Sequence, residues 1–224
     1  MSDDKYGPRN PLDVLNTRGL TAKREYVRGL EQRRDREALS LLVECLCDES
    51  PYLRELAEET FLRLGDEHAP SLVPLLDQGL WFTRTSAARV LGRLGHRAAV
   101  PGLLRLAEDD NETVQRTAIE ALITLAQHRG AARVAHALHR LPAESRVRHL
   151  EAIRIRDREV GEQLERLMKS DELMSRENAD GISDDDPAVR AAEQGVERKQ
   201  PAGPPPPGAR PDGESAGPAG EPRA

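Results

Sequence analysis

The chain has 224 residues, a formal net charge of −6 and a composition that is 38% hydrophobic but only 3% aromatic. Six aromatic residues are too few for the stacking platform of a single-strand nucleic-acid binder, and two cysteines do not make a disulfide scaffold. No apolar run approaches the roughly 20 residues of a membrane helix, and the first residues lack a signal-peptide core. We therefore expect a soluble, mostly helical, cytoplasmic protein.

Three regions differ in composition and define the expected domain organisation. Residues 1–20 form a short irregular segment, whereas residues 21–170 carry dense apolar residues at helical spacing. Residues 171–224 lose that pattern; they are acidic at first and then rich in proline and glycine, which predicts a disordered tail. One short helix, opened by Asp186 and Pro187, is expected within the tail.

A helical repeat occupies the middle region. Three segments align at spacings of 30 and 31 residues, and the aligned small residue is Ala57, Ala87 or Ala118. Apolar residues follow four and seven positions later, which gives each helix an apolar face that approaches a neighbour closely. A shorter helix precedes each of these helices, so the unit is a helical hairpin of about 30 residues. The aligned segments are 51–65, 81–95 and 112–126.

Further helices are expected on both sides of these copies. Residues 131–155 form a degenerate fourth copy that lacks the small-residue register, and a final helix is predicted at Glu159–Met168. The helix predicted at Ala22–Gln32 caps the other end. Because one hairpin cannot bury its own apolar face, several must stack into a continuous core. The sequence therefore predicts an all-α fold, a short right-handed α-solenoid of about four to five hairpins.

The recurrent motif resembles a known repeat family. An acidic turn is followed by a hydrophobic residue, Arg, Ala three positions later and then Leu-x-x-Leu-Gly, with Val-Pro-x-x-Leu before the turn. This pattern resembles the HEAT repeat superfamily, and its short period is similar to bacterial HEAT-like repeats that also occur in phycobilisome lyases. The resemblance extends over about 130 residues, from roughly 35 to 168, and implies an architecture rather than an activity. In the third copy Gln115 replaces the arginine.

The sequence gives little support for catalysis or metal binding. Cys45 and Cys47 lie two positions apart, so they point to opposite sides of a helix, and no second cysteine pair completes a zinc site. Asp109 and Asp110 belong to a turn and residues 184–186 to the tail, without the fixed frame that acid–base catalysis needs. Arginines that would repel a cation are interleaved with the clustered histidines, so no cofactor or metal is predicted. The clustered histidines are His128, His136, His139 and His149.

The second helices of the hairpins are expected to line a concave surface that binds a protein partner. Adjacent Trp81 and Phe82 must point in different directions, and an exposed aromatic residue anchors interfaces. The competing interpretation places both aromatics between repeats, and gives Arg54, Arg84 and Arg89 capping and ion-pairing roles inside the stack. The predicted partner-binding residues are Trp81, Arg84, Arg89, Arg116, Arg148 and His149.

The predicted function is a non-catalytic protein–protein interaction scaffold. Arg129–Arg158 contains eight arginines and three acidic residues. This stretch is either a solvated face or a contact surface for an acidic protein segment, such as the chain's own tail, or for a nucleic-acid backbone. The net negative charge of the whole chain and the scarcity of lysine argue against nucleic acid. The resemblance to lyase repeats implies an alternative, chromophore handling similar to that of a bilin lyase, although no pigment-contacting residue is matched by position.

Overall fold

The computed structural model describes Leu12, Leu15, residues 17–175, Pro187, Val189 and Arg190. These residues contain ten α-helices and no strand, which confirms the predicted all-α class. The expectations for residues 1–11 and for most of the tail lie outside the described residues. The helices are α1 (Leu20–Arg33), α2 (Arg36–Cys47), α3 (Pro51–Leu64), α4 (Trp81–Leu94), α5 (Val100–Leu106), α6 (Glu112–Leu125), α7 (Ala131–His139), α8 (Ala143–Arg156), α9 (Arg158–Met168) and α10 (Asp171–Met174).

Local sequence signals set where several helices begin and end. The side chains of Asp35, Asn111 and Asp157 accept hydrogen bonds from backbone N–H groups in the first turns of α2, α6 and α9. Pro51 opens α3, where its missing N–H costs nothing. Gly95 ends α4 with a φ of 68°, a left-handed conformation that favours glycine.

The elements pair as four successive hairpins. The first hairpin is α2–α3, the third is α5–α6 and the fourth is α7–α8. In the second hairpin the first helix is replaced by two 3₁₀ segments, Asp66–Ser71 and Val73–Leu76. Pro70 and Pro74 lie in these segments, and proline removes the N–H that a regular α-helix would use there. The short helix predicted before α4 is therefore present only as 3₁₀ structure.

The hairpins stack side by side. Second helices α3, α4, α6 and α8 pack in sequence order as one row, and α1 adds to the row beside α3. First helices pack on the other side of the row, ending with α9, which lies against α7 and α8. The chain is thus an α-solenoid, and its ends match the predicted capping and final helices to within two residues.

The core follows the repeat positions. Ala57, Ala87 and Ala118 are fully buried, as are the apolar residues four positions after each of them, Phe61, Leu91 and Leu122. Each small residue lets the next helix approach, and each larger residue fills the space between layers. The apolar face predicted from the spacing is therefore the face that forms the core.

The fourth copy lacks the motif's residue types but retains its positions. At a spacing of 31, Arg146 takes the position of Gln115 and the fully buried Ile153 takes that of Leu122. His149 stands where the other copies have alanine. The repeat therefore continues through α8 in register, with one large polar residue at its small position.

Packing also continues beyond residue 170, the predicted start of the tail. Leu173 in α10 and Val189 are both fully buried, and α10 packs against α7 and α9. The boundary at residue 170 stays a prediction. Among the described residues, every helix is too short or too polar to cross a bilayer.

Candidate partner-binding surface

The side chain at the motif's arginine position, which is Gln115 in the third copy, hydrogen-bonds to the turn that precedes each second helix. The side chain at the fourth position of α3, α4, α6 and α8 donates to backbone carbonyls five to seven residues earlier. Because these carbonyls end the preceding segment, the bonds fix how the two parts of each hairpin meet. The bonds are Arg54 to Asp48 and Glu49 at 2.8 and 2.9 Å, Arg84 to Gly79 at 2.8 Å, Gln115 to Asp109 at 2.5 Å, and Arg146 to His139 at 3.1 Å.

Arg84 also links two repeats. Its guanidinium lies 3.0 Å from a carboxylate oxygen of Asp109, in the turn before α6. The side chains of Arg84 and Asp109 are only 23% and 16% exposed. This geometry matches the within-stack role that competed with partner contact for Arg84.

An aromatic groove with a cavity volume of about 370 Å³ lies between α3 and α4. Trp81 is 46% exposed in it, and its ring meets that of half-buried Phe82 edge to face, with centroids 5.7 Å apart. The guanidinium of Arg54 lies 4.5 Å from the Phe82 centroid, a cation–π contact. Trp81 thus offers an exposed ring that its neighbours hold in place.

An ion pair between α3 and α4 forms part of the lining of the aromatic groove. Arg89 of α4 donates to both carboxylate oxygens of Glu58 in α3, at 2.6 and 2.7 Å, and Glu58 is buried. Both hydrogen bonds come from the same guanidinium nitrogen, Nη1, and this charge-assisted contact joins the two helices. Charges around the groove balance, with three arginines and three glutamates. The charged lining residues are Arg54, Arg89, Arg93, Glu55, Glu58 and Glu59.

An arginine groove with a cavity volume of about 430 Å³ lies between α6 and α8. It is lined by Arg116, Arg148 and Arg156 but by a single acidic residue, Glu112. Arg116 is exposed and makes no ion pair with any described residue. Arg148 reaches carboxylate oxygens only at 3.5 and 3.6 Å, and Arg156 donates to a carbonyl of its own helix. Arg116 and Arg156 therefore carry positive charge that no described carboxylate pairs with, whereas Glu108 and Glu144 pair with Arg148.

His149 forms the inner wall of the arginine groove and is only 3% exposed. One ring nitrogen lies 2.5 Å from the Ser145 carbonyl oxygen and the other 3.2 Å from the Leu104 carbonyl oxygen. The imidazole therefore lies between a carbonyl of its own helix and one of α5, and a neutral ring donates its single N–H to only one of them. A partner on the surface would not reach it directly.

The remaining candidates for chemistry do not converge on a site. No group of three metal-ligating side chains forms within the part of the chain that the structure describes. Burial raises the pKa of the Cys45 thiol to about 12, and burial also raises the pKa of Cys47 despite an opposing hydrogen bond with Thr83. Both thiols are protonated at neutral pH and are therefore poor nucleophiles.

The repeat register and the stacked hairpins define a class of protein, the HEAT-like α-solenoid. Residues 69–155 match the family model described as HEAT repeats. The chain is also 36% identical over 113 residues to the phycocyanobilin lyase subunit beta of Thermosynechococcus vestitus, an alignment over 50% of this chain and 53% of that protein. The chain thus spans about half the length of this curated relative. These similarities support a HEAT-like repeat protein related to phycobilisome lyases, as the motif resemblance predicted.

The structure divides the six predicted site residues into three groups. Trp81 and Arg89 line the aromatic groove, Arg116, Arg148 and His149 line the arginine groove, and Arg84 lies between repeats. Sequence reasoning included Arg156 only within the stretch Arg129–Arg158 and did not select it as a site residue. Extending the 31-residue spacing into the fourth copy would have placed α8 beside α6 and drawn attention to it.

Proposed function

We propose that this chain is a non-catalytic scaffold that binds a protein partner on its row of second helices. The observation that carries the proposal is a pair of open grooves on that row, one with exposed Trp81 and one with Arg116. Tryptophan and arginine supply much of the binding energy at protein interfaces. A stacked solenoid holds them in fixed positions, which lowers the ordering cost of binding.

In this proposal the predicted residues have two different roles. Trp81, Arg116 and Arg148 contact the partner, while Arg89 contributes its exposed edge beside the Glu58 pair. Arg84 and His149 position the helices that carry these side chains. A cytoplasmic location belongs to the same proposal, as does a disordered tail, which would begin after α10.

The test is affinity capture from the native cell followed by mass spectrometry. A double variant, Trp81→Ala with Arg116→Glu, is compared with Arg166→Glu, which changes an exposed arginine on α9. We expect the double variant to lose at least tenfold of a specifically captured protein and the control to retain it. Equal capture by both variants, with unchanged helicity, would show that the row of second helices is not the binding surface.

A second candidate function is chromophore handling, which the similarity to the lyase subunit favours. The arginine groove is within the size range of small-molecule sites. Mixing the purified chain with phycocyanobilin tests this candidate, because a pigment held in a rigid groove changes its absorbance. An unchanged spectrum with excess protein would discard it.

Binding to a nucleic-acid backbone through Arg129–Arg158 receives less support. Three arginines of this stretch pair with carboxylates and two donate to carbonyls of the protein itself, so their donors are partly occupied. The carboxylate-paired residues are Arg148, Arg154 and Arg158, and the carbonyl-bound residues are Arg146 and Arg156.

A further inference from the structure

The helices α1, α3 and α4 begin side by side at one edge of the row. Near the starts of α1 and α3, Arg24 donates to the hydroxyl of Tyr52 at 2.9 Å. The first residues of α3 and α4, Pro51 and Trp81, line the same aromatic groove. The first residues of these three helices therefore follow one another along this edge, beginning with Leu20 of α1.

These three first residues form an exposed apolar strip. Leu20 is 60% exposed and Trp81 is 46% exposed, and Pro51 between them is exposed as well. Neighbouring helices pack about 8–10 Å apart, which sets the spacing of the three residues. The apolar strip, Leu20, Pro51 and Trp81, thus presents apolar side chains at a regular interval across the row.

The proline-rich part of the tail repeats at nearly the same interval. Proline occupies every third position at Pro201, Pro204 and Pro207, and Arg210 follows after three more. Such a sequence favours the polyproline II helix, which has three residues per turn and rises about 3.1 Å per residue. Residues three apart therefore lie on one side, about 9 Å from each other, and match the spacing of the apolar strip.

Trp81 has the chemistry that recognises polyproline. Proline-rich segments dock in grooves lined by aromatic rings, and the ring of Phe82 holds that of Trp81 edge to face. A polyproline II helix has no internal hydrogen bonds, so its carbonyls need outside donors. The indole N–H of Trp81 is such a donor, and it makes no hydrogen bond with any described residue.

Charge favours the aromatic groove over the arginine groove for this segment. Residues 201–211 contain one basic residue, Arg210, and no acidic residue. Glu55 lines the aromatic groove, is exposed and has no ion pair within the described part of the chain. A guanidinium pairs well with such a carboxylate, whereas Arg116 and Arg156 would repel it from the arginine groove.

The tail is long enough to reach the strip. Val189 is fully buried, so the chain is held to the folded part up to that point. Ten residues separate Arg190 from Pro201, and an extended chain of this length spans about 35 Å. The helices α8 and α4 are two places apart in the row, about 20 Å at the usual helix spacing. Even a start at α8 therefore leaves Trp81 within reach.

We propose that residues 201–211 dock across the apolar strip as a polyproline II helix. The prolines at every third position pack on Trp81 and Pro51, and Arg210 pairs with Glu55. The inference goes beyond the proposed function, because the occupant of Trp81 belongs to the same chain and a partner must displace it. It also restricts the proposed disorder to the rest of the tail.

The experiment measures acrylamide quenching of tryptophan fluorescence in the full chain, where Trp81 is the single tryptophan. Pro204→Ser with Pro207→Ser removes two prolines of the series, and Pro218→Ser with Pro222→Ser is the matched control outside it. We expect the quenching constant to rise about twofold in the first variant, because the undocked ring is 46% exposed, and to keep the parent's value in the control. Equal quenching of all three proteins would overturn the inference.

A peptide of residues 201–211 provides the complementary test. It should restore protection of Trp81 in the variant with Pro204→Ser and Pro207→Ser, whereas the peptide with the same two serines should not. Protection in the parent should be independent of protein concentration, and protection lost on dilution would assign the tail to a second copy and overturn docking within one chain.

A charge variant tests the pairing with Arg210. Glu55→Lys should raise the quenching constant as the proline variant does, while Glu120→Lys, at an exposed glutamate of α6, should not. If quenching is the same in every variant but Trp81→Ala with Arg116→Glu still loses the captured protein, tail docking is wrong and the scaffold function stands.

Discussion

Two neighbouring junctions in the row of second helices differ sharply in how closely their helices pack. Helices α4 and α6 meet so tightly that a Cβ on Gly92 would lie 2.7 Å from the Ala121 Cα. One repeat later the equivalent residues are Ile123 and Ala152, and α6 and α8 leave the arginine groove between them. The same repeat thus produces a closed junction or an open groove, depending on whether a glycine occupies one position.

The junction before the closed one agrees with this interpretation. Leu62 and Val90 occupy the equivalent positions on α3 and α4, and the aromatic groove lies between these helices. Both grooves therefore flank a single tight contact. The tightly packed contact therefore lies between the two grooves that we propose as binding surfaces.

Enlarging Gly92 should break the closed junction and gives the largest expected effect. Gly92→Ala forces a methyl group against the backbone of α6, which we expect to lower the free energy of unfolding by about 1–3 kcal/mol. Urea denaturation followed by circular dichroism measures it.

The matched control is Gly29→Ala in α1. Apart from its chain neighbours and the nearby backbone of α1 itself, nothing described lies within 4 Å of a Cβ built there. Alanine should raise the free energy of unfolding by roughly 0.5–1 kcal/mol, because glycine is a poor residue inside a helix. Stabilisation by both substitutions would show that the α4–α6 contact is not limiting.

Sequence reasoning predicted the fold far better than it predicted the site. Ala57, Ala87 and Ala118 define a register that local spacing reveals, so the hairpins were recognisable without coordinates. The depth of each groove depends on pairs such as Gly92 and Ala121, which are distant in sequence and meet only when helices stack.

Whether a predicted arginine is ion-paired within the protein depends on the same kind of long-range contact. In the sequence, Arg84 and Arg116 are both arginines near the start of a second helix. Only the structure shows that Asp109 pairs with the first and that no described carboxylate pairs with the second.

Replacing His149 tests the open junction, where the arginine groove lies between α6 and α8. His149→Ala gives the fourth copy the small residue of the other three, but it removes the ring contacts with the Ser145 and Leu104 carbonyls. We expect a loss of about 1–2 kcal/mol in unfolding free energy, because a buried acceptor loses its partner.

His139→Ala is the control, since that side chain is exposed at the end of α7. It should change stability by less than about 0.5 kcal/mol. If His149→Ala is as mild as His139→Ala, the imidazole does not hold α8 to α5. The same urea titration compares the two variants.

The smallest expected effect concerns the junction of α1 and α3, which an exposed ion pair joins. Arg63 donates to both carboxylate oxygens of Glu31 at 2.9 and 3.0 Å, and this hydrogen bonding lowers the pKa of Glu31 below its usual value of 4.5. A lowered pKa in the folded state means that the pair stabilises fully above about pH 4.5, and that this contribution is lost as the pH falls through the folded pKa.

Glu31→Gln measures that contribution directly. Because Arg63 is half exposed, we expect the variant to be less stable than the parent by only a few tenths of a kcal/mol at pH 7. The difference should shrink toward zero as the pH falls through the lowered pKa of Glu31 in the folded protein, because the parent's carboxylate then becomes protonated itself. Unfolding free energies of both proteins across this range provide the test. A difference that stays constant with pH would mean that packing of the Glu31 side chain, rather than its charge, holds α1 to the row, and that this junction resembles the closed α4–α6 contact after all.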